Sequence, residues 1–459
     1  MKIIIAGIGE AGITLVKALS SKDHEITVID RDASLVDKVT DKFNVNGVVG
    51  SSASKETLTK AGVAGCDFFI ALTHIDEVNL LSCVQAKNLG ALKTVSRLQM
   101  PDLSSDVESL KKEYDIDYIV RPCKDIASEI YRNLGLPGFV KLEGIFEDHV
   151  IIIDINVMRD SCLAGKSLSE IRHNIRKDML ISTVIRNDKL IIPDGSFVIE
   201  EGDILTISAS VENLDDTLQT LGIRRNPTKS VMLVGCDLTG EYLTERLLSE
   251  KRKVTILEND ENRCRELMNR FPNADVIFSG GDITSVLEEE KLGGIGTIIS
   301  LTDSDVTNLV VSLFAWSKKV PSVITKVDKQ NHVRLLHKVN IDITASPTEL
   351  SVLRILHYIR NNDVHASTGS SGSYLGFYRV ADGMADVIAF CVGSSFPALN
   401  QKISDKAFGI KKDILVSGII RNNKLIIPDG SSHLTEGDRV LITAPVAKGI
   451  KSINDAFHK

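Results

Sequence analysis

"KIIIAGIGEAG" (2–12) decides how this chain is read. A short apolar run leads straight into Gly7, Gly9 and Gly12, spaced G-x-G-x-x-G, and "AGITLVKALSSK" continues with the period of an amphipathic helix. Each glycine has a separate task. Gly7 permits the tight turn, Gly9 lets the backbone approach a pyrophosphate, and Gly12 lets the helix pack close to the strand. The helix start then presents free N–H groups to phosphate oxygens. A second strand, "EITVID", ends in Asp30, roughly 20 residues on, where a ribose-binding acid is expected. That carboxylate favours hydroxyls over a 2′-phosphate, so NAD(H) or adenosine nucleotides are preferred to NADP(H), although Arg31 stands beside it. Thr73 and His74, after the strand "DFFIAL", and Arg97, ending "KTVSRL", occupy strand ends where α/β sheets bind ligands. An arginine there suits bidentate contact with an oxyanion.

The same pattern returns. "SVMLVGCDLTGEYLTERLLSEKRKVTILE" (230–258) aligns with residues 2–30, "SLTDSDVTN" (300–308) with "ALTHIDEVN" (71–79), and "ITKVD" (324–328) with "VSRLQ" (95–99). A second repeat follows each copy. "LISTVIRNDKLIIPDGSFVIEEGDILTISA" (180–209) matches "LVSGIIRNNKLIIPDGSSHLTEGDRVLITA" (415–444) at 18 of 30 positions without a gap. β-branched alternation, a polar turn, "KLIIP" and Asp-Gly predict a hairpin. The order is therefore N1–C1–N2–C2: a duplicated two-part unit. Pro122 and Pro347 start amphipathic helices ahead of the C modules, and "DVHASTGSSGSY" (363–374) reads as a loop or linker.

The second copy departs where it matters. "GCDLTG" keeps Gly235 and Gly240 but puts Asp237 in the place of Gly9. A carboxylate about 4 Å from a pyrophosphate costs on the order of 4 kcal/mol at an effective dielectric of 20, about a thousandfold in affinity. Unless Asp237 turns away, caps the helix or binds a cation, this site is expected to be weak or altered. Glu258 keeps the ribose-acid position, and Lys326 replaces the arginine.

Composition narrows the class. A length of 459 residues exceeds one core, and 43% hydrophobic with 25% charged residues is ordinary for a globular protein. A net charge of −7 argues against nucleic-acid binding. The strongest apolar stretch, "HVIIIDINVM", is broken by Asp154 and falls short of a membrane span, and the N-terminus does not read as a signal peptide. The seven cysteines form no CxxC pair, as expected of reduced thiols in a cytosolic protein, and no metal site is expected.

These residues resemble the family of regulatory, nucleotide-binding subunits of Trk-type potassium uptake systems (TrkA), built from duplicated RCK/KTN modules. The motifs that carry the likeness are "GIGEAG", Asp30, "ALTHIDEVN", the "VSR" strand and both "LIIPDG" hairpins, in the order N1–C1–N2–C2. The resemblance implies an α/β fold: two Rossmann-like doubly wound parallel sheets, each followed by a small α/β lobe. The implied division is N1 over 1–123, a crossover helix over 124–139, C1 over 140–224, N2 over 229–347, a crossover helix and linker over 348–372, and C2 over 373–456. It places ligand contacts at Gly7, Ile8, Gly9, Glu10, Ala11, Gly12, Asp30, Thr73, His74 and Arg97. In N2 they fall at Gly235, Cys236, Asp237, Leu238, Thr239, Gly240, Glu258, Thr302, Asp303 and Lys326. It implies NAD(H), ATP or ADP as ligand, a homotetrameric cytosolic ring, and a separate potassium-translocating membrane subunit whose gating the nucleotide biases. "FSGGDITSVLEEE" is about two residues shorter than the family's usual stretch.

Two rivals are an NAD-dependent oxidoreductase and a dinucleotide redox sensor without a membrane partner. Oxidoreductases pair the Rossmann lobe with a domain supplying an acid, a base or an electrophile. What C1 and C2 share is turn and strand residues, so the duplication kept architecture and no reactive set. His173, His332, His337, His357 and His365 are expected at helix surfaces, and "LEEEK" (287–291) on a solvated face. No enzymatic activity is expected.

Overall fold

The computed structural model describes residues 1–459 except 21–23, 100–106, 138–139, 146–149, 175–178, 224–227, 290–293, 329–343, 363–371, 382, 406–407, 423, 451 and 459. N1 alternates β1 (Lys2–Ala6), α1 (Glu10–Leu19), β2 (Glu25–Asp30), α2 (Ala33–Phe43), β3 (Asn46–Val49), α3 (Lys55–Lys60), β4 (Phe68–Ala71), α4 (Asp76–Asn88), β5 (Lys93–Arg97), α5 (Val107–Glu113) and β6 (Tyr118–Val120). The six strands are parallel in the order β3-β2-β1-β4-β5-β6, a doubly wound Rossmann sheet. Its strands read as continuous apolar runs because both faces are covered. Ile3, Ile5, Phe68 and Ile70 face one core, and Ile4, Ala6, Phe69 and Ala71 face the other.

After the first crossover helix, α6 (Pro122–Asn133), C1 comprises β7 (Val140–Ile145), β8 (Val150–Asn156), α7 (Leu168–Asn174), β9 (Met179–Arg186), β10 (Lys189–Ile191), β11 (Ile204–Ser210) and α8 (Leu214–Thr220). Its antiparallel sheet runs β10-β9-β11-β8-β7. N2 repeats N1 as β12 (Ser230–Val234), α9 (Leu238–Ser249), β13 (Lys253–Glu258), α10 (Glu261–Arg270), β14 (Asp275–Phe278), α11 (Ile283–Glu289), β15 (Thr297–Ser300), α12 (Asp305–Ser317), β16 (Ser322–Lys326) and β17 (Thr344–Ala345). The strand order, β14-β13-β12-β15-β16-β17, is the same. The second crossover helix, α13 (Pro347–Asn361), leads to C2, whose strands β18 (Gly372–Val380), β19 (Ala385–Val392), β20 (Leu415–Arg421), β21 (Lys424–Ile426) and β22 (Arg439–Pro445) order as β18-β19-β22-β20-β21.

The repeated hairpin string proves architectural. Asn187 and Asp188 both take positive φ (52° and 58°), the geometry of a type I′ turn, and Asn422 repeats it at 52°. Asp194 and Asp429 each fold back on the following serine, and the Gly195 and Gly430 carbonyls accept from the Ser169 and Ser404 N–H groups. The "EGD" turn is clamped in both copies. Arg186 reaches Asp203 through two bonds of 2.7 Å, and Arg421 reaches Asp438 through two of 2.7 Å. Burial would raise the Asp438 pKa, but the Arg421 guanidinium and the Thr435 N–H hold it below the ordinary carboxylate value.

The crossover helices are exchanged. Ile126, Ala127 and Ile130 of α6, with Leu134 just past its end, enter the N2 core beside Leu243 and Leu247 of α9, while Val352, Ile355 and Ile359 of α13 enter the N1 core beside Leu15, Val16 and Leu19 of α1. Each Rossmann lobe is thus closed by the helix that follows the other. Helix α6 stops at Asn133, before the boundary at 139 expected from sequence, because Gly135 turns to φ 76°. The helices meet at Arg354 and Asp125, 3.3 Å apart. The C lobes pack sheet against sheet through Ile152, Ile185, Val387 and Ile420. Among the described residues, no helix is long and apolar enough to cross a membrane. Of the linker at 363–374, the structure shows Gly372 onward as the start of β18; the rest lies outside the described residues, as do His332, His337 and His365.

Candidate functional site

Sheet register assembles the site. In N1, Ala6 pairs with Ile29 and with Ala71, and Ala71 pairs with Ser96. The next residues along, Gly7, Asp30, Leu72 and Arg97, therefore share one row at the carboxyl edge, where β1 separates the two halves of the sheet. This is the switch point at which open α/β sheets bind ligands. N2 repeats the row from Val234, Leu257, Ser300 and Thr325, bringing Gly235, Glu258, Leu301 and Lys326 together.

Two of the glycines are dictated by packing. Gly7 has φ 88°, and a Cβ there would lie 2.7 Å from the Thr73 nitrogen; one on Gly12 would lie 2.1 Å from the Gly7 carbonyl oxygen. Gly9 differs. Its angles (φ −65°, ψ −164°) suit any residue, and a Cβ would meet the His74 ring at 3.4 Å, an ordinary contact. What Gly9 supplies is empty space over the helix start. No side chain caps α1, so the N–H groups at Glu10 and Ala11 face that space without one. Asp30 accepts from the Ile8 N–H at 2.9 Å and from the Asp32 N–H at 3.1 Å, leaving about two of its four acceptor positions for ribose hydroxyls.

Arg97 is half-buried, and its guanidinium makes no hydrogen bond or ion pair to the described residues. Burial presses its pKa down, and Cys123, Asp76 and Asp328 nearby oppose that only in part. Thr73 is present but already engaged: its hydroxyl donates to Asn79 Oδ1 at 2.7 Å and its N–H to the same oxygen at 2.9 Å. His74 stands exposed above Gly9.

In N2 the frame is kept, and a carboxylate stands where Gly9 has no side chain. Asp237 repeats the backbone angles of Gly9 (φ −72°, ψ −171°). Its Oδ1 accepts from the Gly240 N–H at 3.1 Å, capping α9, and its Oδ2 accepts from Lys326 Nζ at 2.7 Å. Lys326 is buried, donates also to the Leu301 carbonyl at 3.2 Å, and has the exposed Asp303 carboxylate 3.9 Å away. Glu258 is buried and accepts three backbone N–H groups, from Cys236, Asn259 and Asp260. The Thr302 hydroxyl is engaged by Asn308 as Thr73 is by Asn79. Leu238 and Thr239 open α9, and Thr239 is buried.

Sequence reasoning missed Asn79 and Asn308. Each is fully buried and bridges two loops: Asn79 Nδ2 donates to the Thr73 and Arg97 carbonyls, and Asn308 Nδ2 to those of Thr302 and Lys326. They tie the threonine loop to the strand end bearing the cation. The signal was there: both close the aligned strings "ALTHIDEVN" and "SLTDSDVTN" six residues after the threonine. His357, expected on a helix surface, instead sits between α13 and C2, with Nδ1 2.9 Å from the Phe377 carbonyl and its ring 4.7 Å from that of Tyr378. Among the described residues, no group of acidic, histidine and cysteine side chains is arranged to hold a metal.

Comparison with known proteins agrees with this geometry. The TrkA-N domain matches residues 3–122 and 231–347, together more than half the chain, and the TrkA-C domain matches 152–237. The chain is 27% identical over 450 residues to Trk system potassium uptake protein TrkA homolog 1 of Methanosarcina mazei, covering 96% of this chain and 97% of that protein. It is 26% identical over 462 residues to Trk system potassium uptake protein TrkA of Haemophilus influenzae, covering 100% and 98%. A solved structure of the GsuK channel bound to NAD shares the fold at a TM-score of 0.61 and 17% identity, over 96% of this chain and 76% of that one. With two TrkA-N domains on two such frames, the chain belongs to the TrkA-N family of Trk-associated RCK/KTN proteins.

Proposed function

We propose that the chain is the nucleotide-sensing regulatory subunit of a Trk-type potassium uptake system, cytosolic and docked as a ring of four copies beneath a separate membrane subunit. The observation that carries the reading is the N1 site: an α1 start with no side-chain cap, the room left at Gly9, a ribose-facing Asp30 and an Arg97 guanidinium unpaired among the described residues gather at one carboxyl edge of the sheet. That set fits a dinucleotide such as NAD(H), with ATP or ADP as alternatives. The Trk names of the full-length relatives and the NAD in the GsuK structure support both halves of the proposal.

The mechanism is a population shift. Nucleotide moves a gate only by the difference in its affinity for two arrangements, and a useful coupling is about 1–3 kcal/mol. The path runs through α13. Phosphate drawn onto the start of α1 pulls on the helix that Val352, Ile355 and Ile359 pack against, and α13 passes directly to C2 through His357 and the Phe377 carbonyl. No reaction is assigned to the chain, and steady turnover of NADH by the purified protein would count against the reading. The direct test is potassium flux in vesicles holding the membrane subunit, with this chain and NADH, NAD, ATP or ADP added in turn. Nucleotide-dependent flux that disappears with Gly9→Asp is expected; flux indifferent to every nucleotide would overturn it.

A further inference from the structure

Among the described residues, two groups in N1 have no side-chain hydrogen-bond partner: the start of α1 and the Arg97 guanidinium. Their N2 counterparts, the start of α9 and Lys326, both have one, and it is the same group. A single carboxylate, Asp237, places Oδ1 3.1 Å from the Gly240 nitrogen and Oδ2 2.7 Å from Lys326 Nζ. Those are the two contacts the N1 geometry offers to a phosphate. We infer that Asp237 is a tethered surrogate for the nucleotide phosphate, so that N2 is permanently occupied by its own chain and takes no dinucleotide.

Three observations besides the pair support this. Asp237 sits on the backbone angles of Gly9, so its side chain projects into the space that Gly9 leaves open. Burial would lower the Lys326 pKa, yet the charge and hydrogen bond of Asp237 keep it above the ordinary lysine value, so the cation stays charged without ligand. Glu258 is buried with three N–H groups already on it, where Asp30 accepts two. A phosphate brought to N2 would have to displace the Asp237 carboxylate from both the α9 start and the Lys326 ammonium.

The surrogate also fixes what rests on it. Helix α6 packs on α9 through Ile126, Ile130, Leu243 and Leu247, with the Cys123 thiol at its start close to Thr239. Burial pushes that thiol up to about 11, so it is an uncharged packing group. The N2–α6 half of the molecule is a reference held in a liganded-like state, against which the N1–α13 half moves. This deepens the proposed function and rests on it for the identity of the ligand.

The test is calorimetric titration of the whole chain with NADH. Asp237→Ser keeps a helix cap but removes the charge and frees Lys326. About one site per chain is expected in the wild type and about two in Asp237→Ser. The new site should weaken at least tenfold in Asp237→Ser/Lys326→Met while the first is unchanged. Two sites in the wild type, or no gain in a folded Asp237→Ser, would overturn the inference. Should the serine variant not fold, Asp237→Asn preserves both cap and shape, and its failure to gain a site would overturn the inference equally. A wild type that binds nothing, with one site appearing in Asp237→Ser, would sink the N1 sensor reading and leave the surrogate standing.

Discussion

The two Rossmann lobes share strand order, register, a threonine–asparagine bridge and a backbone turn that agrees to within 10° at Gly9 and Asp237, and they differ in how their charges are spent. N1 holds a cation and a helix start that no described side chain bridges. N2 holds the same pair with a carboxylate already seated. A fold can thus keep a binding frame intact and withdraw it from ligand exchange with one side chain, provided that side chain reaches both ends of the electrostatic gap. The helices follow the division: α13 rides on the open lobe and α6 on the filled one.

The largest effect is expected from copying the filled lobe onto the open one. Gly9→Asp should put a carboxylate within reach of Arg97 and the α1 start, costing about 4 kcal/mol of nucleotide affinity, roughly a thousandfold. Because the backbone at Gly9 suits any residue, the thermal midpoint should hardly move. Calorimetry and a melt of the same sample check both halves, and unchanged affinity would remove the site from N1.

Next come the matched helices. Ile355→Ala and Ile130→Ala each empty a fully buried position, and each should lower stability in urea by about 3 kcal/mol. They should part company in function. Ile355→Ala should blunt the nucleotide response of the potassium flux, and Ile130→Ala should leave it; equal responses would dissolve the distinction between moving and reference halves.

Arg97→Ala removes the unpaired cation and should weaken NADH by about 2 kcal/mol, roughly thirtyfold. Lys326→Ala, at the equivalent position, should leave NADH affinity where it was, since that lysine serves Asp237. A parallel drop in both would mean that both lobes hold nucleotide. The smallest effect tests the shared frame itself. Asp32 caps α2 through Leu35, and Asp260 caps α10 through Asn262 and Arg263. Alanine at either should cost about 1 kcal/mol of stability and nothing in NADH affinity.

What was legible in the sequence was local. The strand–turn–helix at residues 2–19, the acid at Asp30, the duplication and the misfit at Asp237 all lie within short windows where period and residue type speak for themselves. The sequence even leaves Asp237 an escape, a cap or a cation, and the structure shows both in one residue. The partner was not legible, because Lys326 stands 89 residues away and only the register of β12, β15 and β16 brings it alongside. For the same reason the exchange of crossover helices was hidden. An amphipathic period says that α6 and α13 bury one face, and it is silent on which lobe receives it. Asn79 has no reading in the sequence and His357 a wrong one, because a polar residue's role depends on what covers it, and spacing along a helix does not record that.

The division between the lobes is most directly tested by amide hydrogen exchange on the purified chain, with and without NADH. Slower exchange is expected at Gly7–Gly12 and along Val352–Ile359, with Gly235–Gly240 unchanged and already slow in the absence of ligand. Protection that appears at Gly235–Gly240, or none at Gly7–Gly12, would contradict an open first lobe and a self-filled second.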